Sequence, residues 1–156
     1  MDFTNSFRPK KITPRVAFSG CLFLLFMSLD FYTTEFIAQG NINMEGNIIA
    51  VWWWNITGSF RHVGIPIWAI YVLGIAYILN MKSEFLALWW LNGLAFGHLI
   101  GWLSWSPYYR TLDFLYTTIK NEWALTFALS GSGMLIGLLF TFIQIKFCGE
   151  KIKKSV

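Results

Sequence analysis

The stretch FLALWWLNGLAFGHLIGWLSW, residues 85 to 105, decides the fold class of this chain. It is 21 residues long and contains no Asp, Glu, Lys or Arg. A helix needs about 20 predominantly apolar residues to cross a bilayer, so this stretch is predicted to span a membrane.

The rest of the chain has the same apolar character. The whole chain is 56% apolar and only 13% charged, whereas soluble domains are roughly one quarter charged. Three more stretches predict spans, which gives four in all, over residues 16–38, 63–80, 85–105 and 123–147. Residues 48–60 are too few for another span and are predicted to lie on the membrane surface or to re-enter it. The predicted fold is an all-α integral membrane four-helix bundle that forms one domain over residues 1–156.

The basic residues predict how the bundle is oriented, because cytoplasmic ends of spans collect Lys and Arg. Nine lie on the side of the two termini, namely Arg8, Lys10, Lys11, Arg15, Lys82, Lys146, Lys151, Lys153 and Lys154. Three lie on the other side, namely Arg61, Arg110 and Lys120. Both termini are therefore predicted to be cytoplasmic. The basic residues form no continuous face, so nucleic acid is not a predicted partner.

Tryptophans cluster near the predicted ends of the spans. Trp89 and Trp90 fall near the inner end of the third span, and the others near the outer level are Trp52, Trp53, Trp54, Trp102, Trp105 and Trp123. Tryptophan is enriched at both membrane interfaces, so these positions predict aromatic belts.

Small residues predict which spans touch. Gly93, Gly97 and Gly101 repeat every four residues along the third span, and Gly133 and Gly137 repeat in the same way along the fourth. Such stripes let helices approach closely, which matters because helix association in lipid depends on packing. The third and fourth spans are predicted to be in contact through these glycines.

One acidic residue is predicted to lie at hydrocarbon depth. Counting from Val16 at about 1.5 Å per residue puts Asp30 roughly 21 Å into the first span, where a charge costs about 3 kcal/mol. Asp30 is therefore expected to face the bundle. His98 lies roughly 20 Å along the third span, so the two side chains are predicted to be able to meet as an Asp–His pair. Arg61 is the alternative partner of Asp30.

Other polar residues surround Asp30 in the sequence. Thr33 and Thr34 flank its helical face, and their hydroxyls are expected to share its hydrogen bonds. Glu35 points away from Asp30 near the outer boundary, where contact with water is the simpler interpretation. An interfacial position is the simpler account of His62.

A pattern at the end of the first span resembles a known family. Its residues are Asp30, Thr33, Thr34, Gly40, Glu45 and Asn47. They are similar to an uncharacterised family of small archaeal and bacterial membrane proteins that read Asp-x-x-Thr-Thr and then Glu-x-Asn-Pro, with Ile48 here in place of Pro. The resemblance covers the first third of the chain and implies an outer-leaflet polar constellation but no activity. The alternative interpretation is that residues 40–47 form a turn. The predicted location is a prokaryotic cell membrane.

Catalytic and cofactor signatures do not carry a prediction. The sequence has no H-E-x-x-H, G-x-S-x-G or P-loop pattern, so an enzyme is the less favoured class and no cofactor is predicted. A metal ion held by Asp30, Glu45 and His98, or a haem held by His62 and His98, are alternatives that no ligand spacing specifies.

Three classes of function follow from these patterns. The favoured hypothesis is an accessory or structural subunit of a larger membrane complex, with lipid and either other membrane subunits or further copies of itself as partners. The second is a transporter or channel for a small solute or protons that uses Asp30 and His98. The third is an intramembrane enzyme or metal site.

Overall fold

The apolar stretches of the sequence fold into helices. The computed structural model describes residues 11–38, 48–104, 118, 119 and 121–153, and we number its α-helices in chain order. They are α1 (Pro14–Ala38), α2 (Ile48–Thr57), α3 (Ile65–Lys82), α4 (Glu84–Ser104) and α5 (Glu122–Lys153), and a π-helical turn over Phe60–Gly64 leads directly into α3. The described residues contain no β-strand, and the predicted all-α fold class is confirmed.

Four helical stretches are long and apolar enough to cross a membrane. They are Pro14–Phe36, Phe60–Lys82, Glu84–Ser104 and Trp123–Phe147. The chain is therefore a multi-pass membrane protein with a helical bundle. Four crossings place the start of α1 and the end of α5 on the same face, which we call the inner side, and we call the opposite face the outer side. That the inner side is cytoplasmic stays a prediction from charge.

The second span begins earlier than predicted. The helix starts at Phe60 instead of residue 63 and continues to Lys82 instead of residue 80. Pro66 has no backbone N–H and cannot make the α-helical bond to His62. Backbone N–H groups before it bond five residues back instead, from Gly64 to the carbonyl of Ser59 at 3.3 Å. This π-helical turn extends the span by one turn toward the outer side.

The predicted element over residues 48–60 is the ten-residue helix α2, which ends at Thr57. Gly58 ends it with a φ of +69°, a left-handed conformation that favours glycine. Ser59 then starts the next helical segment, because its hydroxyl accepts the N–H of His62. The ring of Trp54 lies 5.1 Å from that of Phe60, so α2 packs on the outer end of the second span.

Helix α4 lies at the centre of the bundle, and α1, α3 and α5 each pack against it. The contacts bury Phe23 and Met27 of α1, Val72 of α3, and Leu88 and Leu91 of α4. Because lipid is as apolar as these side chains, their close packing supplies the stabilisation.

Helices α4 and α5 touch along their backbones. A Cβ added at Gly133 would lie 2.6 Å from the Cα of Gly97, and one added at Gly137 would overlap the backbone of Gly93. These four glycines therefore lie where their spacing predicts, between the third and fourth spans. Gly101 is different, because it faces α1 instead of α5.

An ion pair joins the inner ends of α1 and α4. Arg15 donates from Nε and Nη2 to the two carboxylate oxygens of Glu84, each at 3.1 Å. Thr13 adds a hydroxyl bond to the same carboxylate at 2.6 Å. A bidentate ion pair of this kind fixes the relative orientation of the two side chains as well as stabilising the contact. Since α1 and α4 run in the same direction, the pair aligns the inner ends of the two helices at the same membrane depth.

The tryptophans of α4 form hydrogen bonds inside the bundle. The indole N–H of Trp89 donates to the carbonyl of Met134 and that of Trp90 to the carbonyl of Val72, both at 3.1 Å. The two side chains thus connect α4 to α5 and α3.

Replacing Gly137 with Ala is expected to lower the free energy of unfolding by about 2 kcal/mol, because the new Cβ would overlap the backbone of α4. Unfolding by SDS in mixed micelles measures this change. Gly131→Ala on the same helix is the matched control, since its Cβ would meet no atom within 4 Å and alanine favours helix. An equal loss of stability in both variants would contradict this packing.

Candidate functional site

Asp30 and His98 lie in contact inside the bundle. The Asp30 side chain is 14% exposed and the His98 side chain 13%, and Oδ2 of Asp30 is 2.8 Å from Nδ1 of His98. Helix geometry explains the meeting. Asp30 follows Arg15 by 15 residues and His98 follows Glu84 by 14, so both lie about 21 to 23 Å from the inner ion pair.

Trp68 of α3 fixes the protonation pattern of the His98 ring. Its indole Nε1–H lies 3.1 Å from Nε2 of His98, and an indole N–H is only a donor. Nε2 must therefore accept, so the ring is neutral and carries its proton on Nδ1. Nδ1–H in turn donates to the Asp30 carboxylate. The pair has a charge of −1 when Asp30 is ionised and none when Asp30 is protonated.

Gly101 gives the Asp30 carboxylate its space. A Cβ at Gly101 would lie 2.9 Å from each carboxylate oxygen of Asp30, closer than a side chain tolerates. The third glycine of the α4 stripe, predicted as a packing residue, thus makes room for a charged group on α1. Phe31 also contacts His98, because the two rings pack edge to face with an angle of 87° between their planes and their centroids 5.2 Å apart.

A cavity of about 290 Å³ lies beside this pair, between α1 and α5 and over the glycine face of α4. Its polar lining residues are Asp30, Thr34, His98, Ser104, Thr126 and Ser130, and its aromatic ones are Phe31, Phe60 and Trp68. The space beside Gly97 is empty, because an added Cβ there would meet nothing within 4 Å. The missing side chains of α4 therefore create the cavity.

The threonines beside Asp30 do not share its hydrogen bonds. Among residues 11–36 and 50–104, His98 forms a hydrogen bond with the Asp30 carboxylate, but Thr33 and Thr34 do not. This differs from the expectation from sequence. Thr34 is buried and lines the cavity one turn above Asp30, whereas Thr33 does not line it.

Glu35 has protein partners, which the sequence did not predict. Its side chain is 12% exposed, and its carboxylate accepts the backbone N–H groups of Phe60 and Arg61, each at 2.9 Å. The guanidinium Nε of Arg61 adds a third bond at 2.8 Å. A carboxylate is stabilised at a helix N-terminus by its unpaired N–H groups and by the helix dipole. Arg61 is thus the partner of Glu35 and not of Asp30.

Other predicted site residues do not gather around Asp30. His62 is exposed at the outer end of the second span, and its backbone N–H bonds to Ser59. Glu45 and Asn47 lie outside the described residues, so the metal hypothesis that includes Glu45 stays a prediction. Within the described residues, no three His, Cys, Asp or Glu side chains form a group able to hold a metal. Both ring nitrogens of His98 have partners, Asp30 and Trp68.

Sequence reasoning missed Trp68 and Thr126. A signal for Trp68 was present, because α3 and α4 form a hairpin around Ser83, and Trp68 and His98 each lie 15 residues from it. Thr126 is 3% exposed, and its hydroxyl has no hydrogen-bond partner among the described residues. Nothing in its spacing distinguishes it from other residues of α5.

A second polar cluster lies below the cavity, toward the inner side. Nδ2 of Asn92 donates to Thr141 and to Gln144, each at 2.9 Å, and Gln144 bonds to Ser19 of α1 at 3.3 Å. All four side chains are buried. This inner cluster connects α1, α4 and α5 through hydrogen bonds that have no competition from water.

Fold and site together define a helical multi-pass membrane protein with an acid and a cavity inside its bundle. No family model, curated protein or solved structure matches this chain. The resemblance carried by Asp30, Thr33, Thr34 and the residues after them therefore stays a prediction.

Replacing Trp68 with Phe is expected to release the tautomer of His98, because the ring would lose the donor that keeps Nε2 unprotonated. Nitrogen-15 NMR of labelled histidine in lipid measures this directly. The wild-type protein should give one protonated Nδ1 and one bare Nε2 for His98, and the variant a mixture. Trp90→Phe, which loses an indole bond of the same length elsewhere, should leave the His98 signals unchanged. A wild-type spectrum with a protonated Nε2 would contradict the assignment.

Proposed function

We propose that this membrane protein carries a small solute or protons and that the cavity beside Asp30 and His98 is its working site. The position of the Asp30 carboxylate supports this most. It lies within a span, faces a cavity, and has no cationic partner among the described residues. A charge at such depth costs about 3 kcal/mol, and acids retained there typically mark ion or substrate paths.

The chemistry of the pair suits a carrier. Because His98 is held neutral, the charge of the site depends on whether Asp30 holds a proton or another cation. His98 is the titratable side chain that contacts Asp30 in the described residues, and Glu35, the other acid of α1, is bound by Arg61. Gain or loss of one proton at Asp30 therefore switches the cavity between neutral and negative.

Proton flux into liposomes that contain the purified protein tests this proposal. With a pH gradient, a pH-sensitive dye inside and the membrane potential clamped by potassium and valinomycin, we expect faster flux than in protein-free liposomes. Asp30→Asn should reduce the rate to background, because it keeps the side-chain shape but cannot ionise.

Glu84→Gln is the matched control. It removes an acid outside the cavity while an amide oxygen can still accept from Arg15, so flux should persist. A rate in the wild-type protein equal to that of protein-free liposomes would reject proton carriage. Equal rates in Asp30→Asn and wild type would show that the flux bypasses the cavity.

A second candidate function is that of an accessory subunit, which one surface of α5 supports. Ala124, Ala128 and Gly131 follow at spacings of four and three residues on an exposed face, and a Cβ at Gly131 would meet nothing within 4 Å. Small residues on one face let another helix approach closely. The stripe of Gly133 and Gly137 is already covered by α4.

If α5 docks on another membrane subunit or a second copy, Ala128→Leu is expected to separate them, because the larger side chain prevents close approach. Native mass spectrometry of protein extracted in mild detergent at normal expression level measures the partner. Ala17→Leu, at an exposed site on α1, should retain it. A wild-type chain that is always isolated alone would reject the accessory role.

A further inference from the structure

The cavity has an unbalanced electrostatic character. Its lining contains the acid Asp30 but no Lys or Arg among the described residues. His98 does not supply the missing positive charge, because Trp68 occupies its second nitrogen as a donor. Arg61, at the outer end of the second span, is paired with Glu35. An occupant that brings one positive charge would complement the ionised site.

Two polar atoms of the cavity lining have no hydrogen-bond partner among the described residues. Oδ2 of Asp30 takes the bond from His98, and Oδ1 has no hydrogen-bond partner among the described residues. On the opposite wall, the hydroxyl of Thr126 is buried without a partner in the same part of the chain. A buried hydroxyl without a partner costs free energy, and Thr126 can donate or accept. A cationic head is the chemistry that the Asp30 wall lacks.

The size of the cavity argues against a bare ion. An apolar cavity of about 150 Å³ accommodates benzene, and this one measures about 290 Å³. A proton or a metal cation would neutralise Asp30 but leave most of this volume empty. An organic body of about ten to twelve non-hydrogen atoms would fill it.

The walls away from Asp30 suit such a body. Phe31 and Phe60 stack with their centroids 5.1 Å apart, and Trp68, Leu129 and Met134 continue the apolar lining. Aromatic rings attract organic cations through their π faces, and methionine adapts to irregular shapes.

We propose that the cavity binds a monovalent organic cation, with its ammonium head at Asp30 and its apolar body between α1 and α5. The inference rests on the proposed function, since it takes the cavity beside Asp30 as the working site. It adds the chemical class of the ligand.

Two probes of the same shape test the charge requirement. Benzyltrimethylammonium carries one positive charge, and neopentylbenzene is its neutral carbon isostere. Binding to the full chain in lipid nanodiscs is measured by equilibrium dialysis, and partition into protein-free nanodiscs is subtracted. We expect the cation to bind at least about tenfold more tightly than the isostere, as a paired charge in a low-dielectric site requires.

Variants then locate the binding. Asp30→Asn and Gly97→Leu should each weaken binding of the cation by at least about tenfold. Asp30→Asn removes the negative charge, and the Leu side chain in Gly97→Leu fills part of the cavity. Gly74→Leu is the matched control, because Gly74 is exposed on α3 and its Cβ would also meet nothing within 4 Å. Its affinity should equal that of the wild-type protein. The comparison of the two probes uses only the wild-type chain, so it stands even if a variant does not fold.

The outcomes separate this inference from the proposed function. Equal binding of both probes, or binding that Asp30→Asn and Gly97→Leu leave intact, would overturn the cation site. If neither probe binds while proton flux still depends on Asp30, the ligand is a proton or a metal ion, and the inference fails while the carrier stands. If binding and proton flux are both absent, the cation site and proton carriage both fail.

Discussion

The packing of the bundle and its cavity both depend on the face of α4 that carries only glycines. Gly93 and Gly97 lie in backbone contact with α5, where a Cβ on Gly133 or Gly137 would overlap α4. One turn further, Gly101 admits the carboxylate of α1, and the absent side chain of Gly97 leaves space between the two neighbouring helices. A single row of missing side chains therefore produces both the tightest packing in the bundle and its cavity. In lipid, where the hydrophobic effect does not drive helices together, such shape complementarity is what holds them.

The two acidic residues of α1, Glu35 and Asp30, have different hydrogen-bond partners. Glu35 receives two backbone N–H groups and a guanidinium, so its charge is balanced and it ties α1 to the second span. Asp30, five residues earlier, receives one N–H from a neutral imidazole and faces a cavity. Since both acids lie on the same helix and near the same membrane side, the difference does not come from depth alone. It comes from the cation that one has and the other lacks, which is why the proposed working site contains Asp30 and not Glu35.

Much of the fold was predictable from the sequence, because length and lack of charge identify spans directly. The contact between Asp30 and His98 was predictable too. Both helices run in the same direction with the same rise per residue, so residues equally far from their inner ends lie at the same membrane depth. The pairing of Glu35 with Arg61 was not, because it depends on the π-helical turn over Phe60–Gly64, whose backbone N–H groups Glu35 accepts. The rotation of α4 decided the remaining differences. It turns Gly101 toward α1 and Asn92 toward Thr141 and Gln144, and periodicity alone does not give that rotation.

The inner cluster of Ser19, Asn92, Thr141 and Gln144 has a consequence for any passage through the bundle. The cavity lining reaches no further inward than Gly93 and Met134, and beyond them the amide and hydroxyl groups bind three helices together. The cavity therefore ends at this cluster on its inner side. Interhelical hydrogen bonds in membranes contribute about 0.6 kcal/mol each, so breaking the bonds of the cluster would cost about 2 kcal/mol, a cost that any passage to the inner side must meet.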